Sequence, residues 1–402
     1  MGHHRSLISL GLLALLFFIP VAESRAGKKV PEKFSQLLVQ TKDMKPRKAR
    51  KLIRKYLRRQ GGNPIVEGDT AFFLAESRKG PAPRLLGDFN GFGRTEKGMD
   101  PAIGAMTRIG ESGWFFRHQK LEKDAWVRYQ FAIGDRVFND PHGKRTLQGF
   151  GKPYSAIAMP DAPSPLDLKT GIKGPGGKMV SGEVASKHMG ETRKVQIYLP
   201  PGYDEDFDTK YPSIYFGDGS GYLEMGRAKE ILDYAITNDL CQPVIGVFTD
   251  PGDRRKEYRG DPAYRAFVTK ELLRYVNYTY RVKLRGEYRA IFGGSRGGLR
   301  ALDMALHHPR EFGFCGAFAP ALTPTNLIEK YAKTPTRRVK IFMLGGLYDL
   351  RWYPDALEMR DTLKAKKYDF IYRDYPSGHF MEAWNLYLPQ MLAEFFPPEK
   401  QT

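Results

Sequence analysis

The sequence predicts an α/β chain: a mostly parallel sheet with helices on both faces, preceded by a small all-β immunoglobulin-like sandwich. Three observations carry that expectation. From about residue 182 onwards, short β-branched and aromatic runs alternate with longer helical runs. Between residues 63 and 160 the runs are all short and strand-like, separated by Gly, Asp and Pro. Between these stretches, residues 161–178 are rich in Pro, Gly and Asp and mark a linker. The expected organisation is therefore a leader over 1–26, a basic helical segment over 27–62, the sandwich over 63–160, the linker, and the α/β domain over 179–398.

The leader begins with a short basic stretch and continues as an apolar run over residues 6–21 (SLISLGLLALLFFIPV). Ser24 and Ala26 then stand at the −3 and −1 positions of a cleavage site, which is the pattern of a secretory signal. The run is shorter than the ~20 residues a membrane span takes. The mature chain is thus expected in the periplasm or secreted, with no membrane-spanning segment. Cleavage removes Arg5, Arg25 and Glu23 and leaves 62 basic against 44 acidic residues, a net charge of +18. Such a field favours anionic partners, an anionic envelope surface among them. The charge is concentrated at residues 41–60 (TKDMKPRKARKLIRKYLRRQ), with ten Lys or Arg and one acid. That stretch reads as a helix burying Leu52, Ile53, Tyr56 and Leu57 and solvating its charges. No nucleic-acid-binding motif accompanies it, so no nucleic-acid partner is expected. Cys241 and Cys315 form no C-x-x-C pair, which excludes zinc-ribbon and thioredoxin-type chemistry.

Strands are predicted in the sandwich at 70–74, 83–86, 105–108, 114–120, 126–132 and 136–138. Leu85-Leu86-Gly87-Asp88-Phe89-Asn90-Gly91-Phe92 resembles the G-D-F-N-x-W start of the early-set, glycogen-binding-type modules. Trp114, residues 127–131 and Asn139-Asp140-Pro141 follow in that family's order. Sugar-binding members stack glucose on two exposed Trp platforms. Here Phe92 holds the first position and Val137 the second, so the resemblance implies a structural or substrate-shaping module ahead of a glucan binder.

In the α/β domain, strands are predicted at 182–187, 194–199, 213–216, 243–249, 288–292, 314–318, 339–344 and 369–372. Helices are predicted at 225–238, 263–278, 297–307, 353–366 and 382–395. The first two strands read as a hairpin.

The chemistry is concentrated at residues 288–298 (YRAIFGGSRGG), where an apolar strand runs into G-x-S-x-G and then into a helix. This strand–turn–helix pattern is the one expected of a nucleophile elbow. The turn is so tight that side chains at Gly293 and Gly297 would meet neighbouring backbone, and it lifts the Ser295 hydroxyl clear of the sheet. The following helix start favours a developing anion.

A serine needs a base, and the fold's chain order is Ser, acid, His. His307 and His308 lie about 18–20 Å along the helix from Ser295 and cannot reach it. His379 remains, in the Gly-rich loop after the last strand. Asp349 follows the preceding strand at the same sheet edge and is the expected acid. Asp355 is the alternative, with a helix-start role competing. The oxyanion hole is expected from the Arg296 N–H and from Gly219 or Ser220, in the Gly-rich loop after strand 213–216.

Residues 182–396 resemble the esterase-D-like group of α/β hydrolases, which includes enterochelin esterases, feruloyl and acetylxylan esterases and mycolyltransferases. The resemblance runs through Arg193, Val195, residues 198–203, Tyr215, Asp218, Gly219, Arg254, Glu257, Tyr258, residues 271–273, the elbow, Asp349, Gly378, His379 and Trp384. It implies Ser295, Asp349 and His379 as the triad, with Arg254, Glu257, Tyr258 and Trp384 lining or bracing the substrate pocket.

The expected activity is that of an exported serine esterase cleaving a carboxylic ester through an acyl-serine intermediate. The substrate would be a siderophore trilactone or a feruloyl or acetyl ester on a polysaccharide. No metal, nucleotide, flavin or other cofactor is needed. Acyl transfer within the same family and a non-catalytic carbohydrate- or envelope-binding protein are the alternatives.

Overall fold

A computed structural model of the chain describes residues 30–149, 152–163 and 170–398. The leader lies outside the described residues. Two helices open the described chain, α1 (Phe34–Thr41) and α2 (Pro46–Arg59). Helix α2 buries Ala49, Ile53, Tyr56 and Leu57, while Leu52 is only partly covered. Its cations point outward: Arg54 pairs with Glu76, and Arg50 reaches the Ser112 carbonyl. Helix α1 lies ahead of the basic helix, inside residues 27–62. It packs Phe34 and Leu37 into the same cluster, against Ile65, Leu74 and Trp114. Each such fully buried side chain contributes about 1.5–3 kcal/mol. The basic segment is therefore a docked cover whose charged face meets solvent.

Among the described residues, apart from a two-stranded hairpin at Arg94–Thr95 and Gly98–Met99, nine strands follow: β1 (Ile65–Glu67), β2 (Thr70–Glu76), β3 (Arg84–Gly87), β4 (Thr107–Arg108), β5 (Trp114–Lys120), β6 (Trp126–Ile133), β7 (Arg136–Phe138), β8 (Arg145–Gly149) and β9 (Lys152–Ala158). They form two antiparallel sheets, ordered β1-β2-β5-β4 and β8-β9-β6-β3, with β7 alongside β6. Ala71, Phe73 and Phe115 of one sheet share a cluster with Leu85, Val127, Tyr129 and Phe131 of the other.

The rest of the chain builds one eight-stranded sheet from β10 (Lys178–Ser186), β11 (Glu191–Leu199), β12 (Ser213–Gly217), β13 (Ile245–Thr249), β14 (Arg289–Gly294), β15 (Phe314–Phe318), β16 (Lys340–Gly346) and β17 (Asp369–Tyr375). The order is β10-β11-β13-β12-β14-β15-β16-β17. Strand β11 is antiparallel to both neighbours, and the other pairs are parallel. Strands β12 and β13 are buried at every residue, as a sheet covered on both faces requires. Two core clusters lie on the faces, one around Ile291, Val247 and Phe267, the other around Phe216, Phe292 and Trp384.

The helix expected over 225–238 starts later, as α4 (Ala228–Thr237) with Arg227 left-handed before it, and an unexpected short helix α3 (Gly219–Glu224) precedes it. The one over 382–395 divides into Met381–Asn385 and Leu388–Phe395, with Pro389 at the second start. Cys241 and Cys315 are buried free thiols.

Candidate active site

Ser295 sits immediately beyond β14 with φ 57° and ψ −123°. A left-handed conformation at a non-glycine residue costs of order 1–3 kcal/mol and persists only when its surroundings fix it. Here the Ser295 N–H donates to the Phe318 carbonyl at 2.9 Å. The Ser295 carbonyl accepts from Leu299 at 3.1 Å and from Ala321 at 3.0 Å. A Cβ at Gly293 would lie 2.5 Å from the Gly297 carbonyl carbon, so only glycine fits there. Gly297 departs from expectation. A Cβ there would meet the Asp218 carboxylate at 3.3 Å rather than backbone.

Asp349 and His379 follow the two outermost parallel strands, β16 and β17, at their carboxyl ends, the edge that also carries Ser295. The structure brings them together: His379 Nδ1 lies 2.5 Å from Asp349 Oδ2. Asp349 is buried, and the His379 side chain keeps 21% of its surface exposed. The imidazole stands edge-on to Trp384 at 4.9 Å between ring centroids, with Trp352 at 6.5 Å. The Ser295 hydroxyl, among the described residues, has no hydrogen-bond partner. Apo catalytic contacts are commonly long and close only with substrate. Asp355 is engaged elsewhere, accepting from the Thr323 N–H at 2.7 Å and the Thr323 hydroxyl at 2.8 Å.

The Arg296 N–H opens helix α5 (Arg296–His307), where no helix carbonyl can accept it. In the loop after β12, the Asp218 N–H is taken by the Tyr258 hydroxyl at 2.9 Å. The Ser220 N–H is taken by Asp250 at 3.1 Å, which removes it from the oxyanion candidates. Gly219 remains. Its Cα lies so close to β13 that a Cβ would stand 2.6 Å from the Thr249 nitrogen.

Of the pocket residues the resemblance implies, three are buried braces with no open face toward substrate. Glu257 is 3% exposed and takes Arg193 at 2.7 and 3.2 Å and the N–H groups of Gly252 and Asp253. It thereby closes the turn that presents Asp250. Tyr258 is fully buried, and burial pushes its hydroxyl well above the ordinary tyrosine range. Trp384 is 1% exposed, and its indole N–H donates to the Tyr375 hydroxyl at 2.6 Å. Arg254 remains partly exposed, in a bidentate pair with Asp218 at 2.6 and 2.7 Å.

Positive charge surrounds the elbow. Burial, and then the neighbouring Arg259, Arg254, Arg255 and Arg351, lower the Arg296 guanidinium below its ordinary value. Beneath the elbow lies Arg300, 2% exposed, which donates to the Phe292 carbonyl and lies over Tyr258 and Tyr264. Its Nε and Nη2 have no hydrogen-bond partner. Sequence reasoning passed over Asp218, Asp250 and Arg300 as site residues. The first two follow strands β12 and β13 at the Ser295 edge, and that position was the available signal.

Residues 186–352 match the family model described as "Putative esterase". The uncharacterized protein YbbA of Bacillus subtilis (strain 168) is 24% identical over 160 residues, 36% of this chain and 63% of that protein. The match therefore spans less than two thirds of that relative. Ferric enterobactin esterase from Salmonella typhimurium is similar in structure with a TM-score of 0.69 at 19% identity, over 85% of this chain and 98% of that one. A ferulic acid esterase is similar with a TM-score of 0.50 at 19% identity, over 56% of this chain and all of that one. At these identities the likeness is one of fold, and the first covers too much of the chain to involve the eight-stranded sheet alone. The family match thus covers residues 186–352, under half of the chain, and marks that stretch as esterase-like.

Proposed function

We propose that the chain is an exported serine esterase in which Ser295, His379 and Asp349 form the triad. The observation that carries this is the 2.5 Å contact between Asp349 and His379 at the sheet edge where the strained Ser295 elbow stands. His379 takes the Ser295 proton as the hydroxyl attacks the ester carbonyl, and returns it to the leaving alcohol. Asp349 fixes the tautomer and stabilises the imidazolium. The N–H groups of Arg296 and Gly219 receive the oxyanion. Water, deprotonated by His379, then releases the acid from Ser295.

The substrate is an ester carrying anionic groups, and the trilactone of a catecholate siderophore fits better than a neutral acetyl ester. The arginines around Ser295 support this: Arg254 is paired with Asp218, but Arg255, Arg259, Arg296 and Arg351 have no carboxylate partner among the described residues, and an anionic ligand would relieve them. Residues 63–160 form the early-set, immunoglobulin-like module in this reading, and 179–398 the hydrolase domain. The module shapes the substrate site rather than binding glucan. Phe92 is turned edge-on to Tyr154 with Arg128 over it, and Val137 offers no ring at the second position.

Initial rates on a catecholate trilactone, methyl ferulate and p-nitrophenyl acetate test the reading. It expects turnover of all three by the wild type, the highest kcat/KM on the trilactone, and no turnover by Ser295→Ala. Equal rates with Ser295→Ala would overturn it.

A further inference from the structure

The loop that carries His379 is held from outside the α/β region. Strand β6 pairs on one side with β9, where Trp126 stands opposite Ala158. On the other side β3 ends at Gly87, opposite Tyr129, so the first residues of β6 have no strand neighbour there. Loop 376–379 takes that place. The Trp126 N–H donates to the Pro376 carbonyl at 3.0 Å, the Ser377 hydroxyl donates to the Trp126 carbonyl at 2.5 Å, and Trp126 and Ser377 form a parallel bridge.

Two residues further along β6, the Arg128 guanidinium donates through Nη2 to Asp88 Oδ1 at 2.8 Å and to the His379 carbonyl at 3.3 Å. Asp88 also accepts the Arg128 backbone N–H at 2.7 Å, so the acid is tied to both ends of the residue that holds the loop. Both groups are removed from water, with 11% and 4% of their side chains exposed. Burial by itself lowers the Arg128 guanidinium; the Asp88 carboxylate outweighs this and holds it above its ordinary value. The guanidinium also lies 4.6 Å from the centre of the Phe380 ring. Between these contacts sits Gly378, where a Cβ would overlap the Asp88 carboxyl. Residues 376 to 380 are thus gripped on both flanks of His379. From the α/β side the same loop receives the Tyr348 N–H at Ser377 and the Tyr375 hydroxyl at Gly378.

We infer that the Asp88–Arg128 pair is a positioning device for the general base: Arg128 fixes the His379 backbone while Asp349 fixes its ring. The inference rests on the triad proposed above. A base displaced by ~1 Å loses a large part of its effect, about a hundredfold in severe cases, so a contact on its carbonyl bears on rate without touching substrate.

The test compares Arg128→Met, Arg128→Lys, Asp88→Asn and Glu122→Gln with wild type. Glu122 is the control: it makes a different contact across the same boundary, to the Tyr348 hydroxyl. Each folded variant is assayed for kcat and KM on p-nitrophenyl butyrate and for its rate of labelling by a fluorophosphonate. Arg128→Met is expected to lower kcat and the labelling rate about tenfold or more with KM unchanged. Arg128→Lys, which keeps a cation and a donor, recovers part of both, and Glu122→Gln keeps wild-type values. Should Arg128→Met fail to fold, Asp88→Asn carries the test, since it preserves shape and removes the pair's charge. Wild-type labelling with equal labelling and kcat in the folded Arg128 or Asp88 variants overturns the inference alone. No labelling of folded wild type removes the triad reading, and the inference with it.

Discussion

The α/β region and the N-terminal β region each contain a recognisable glycine-containing motif at the end of a strand, and the two motifs face opposite ways. In G-x-S-x-G, Gly293 lets the chain turn so tightly that Ser295 is lifted to the sheet edge, beside the elements that carry Asp349 and His379. In Gly87-Asp88-Phe89-Asn90-Gly91-Phe92 the polar residues turn inward. Asn90 accepts from the Gly87 N–H and donates to the Leu85 carbonyl, Asp88 binds Arg128, and Phe92 packs against Tyr154. The difference teaches that a motif resembling that of a binding family can be accounted for by backbone geometry. Gly91, Phe92 and Gly93 all have positive φ, and the motif's residues serve that turn.

The comparison can be broken or sharpened by substitution, and the largest effect belongs to the α/β side. Asp349→Asn leaves the fold intact and is expected to lower kcat by about a thousand- to ten-thousand-fold, the cost of losing tautomer control and a counter-charge. A loss under tenfold would assign the acid's role elsewhere. Next is Glu257, which resembles a pocket residue in sequence and a buried brace in structure. Glu257→Gln takes the buried carboxylate from Arg193, which keeps the half-exposed Glu191 and the Asp250 carbonyl, at a cost of up to about 3–5 kcal/mol. At about 2–4 °C per kcal/mol for a domain of this size, a thermal melt should show a shift of up to roughly 6–20 °C. A raised KM with an unchanged melt would put Glu257 in the pocket.

A smaller effect is expected at the charged rim. Arg259 is exposed, so Arg259→Gln removes little beyond charge. KM for an anionic ester should rise about three- to tenfold at low salt, less at high salt, while KM for p-nitrophenyl acetate stays put. Equal change for both esters would separate the rim from substrate charge. The smallest effect is none at all. Neither wild type nor Phe92→Ala is expected to be retained on insoluble starch, and retention of wild type lost in Phe92→Ala would return the β region to sugar binding.

The centre of the sheet was legible because its inner strands are buried on both faces and therefore carry unbroken apolar runs, as at β12 and β13. The proposed triad was legible where chemistry and strand position coincide, as at Ser295, Asp349 and His379. Strands β8 and β9 were not, because Lys152-Pro153 and Gly149 read as turn residues. The helix Leu327–Lys333 was not, being short and lacking a side-chain cap. Burial at Glu257, Tyr258 and Trp384 depends on partners far along the chain, such as Arg193 for Glu257, and one-dimensional pattern carries no record of them. The same holds for Arg128, whose contact with the His379 loop spans 251 positions.

The central claim is an activated serine at the elbow, and intact-mass analysis after exposure to a fluorophosphonate tests it most directly. The account predicts a single adduct on wild type and none on Ser295→Ala. No adduct on folded wild type, or an adduct on Ser295→Ala, would contradict it.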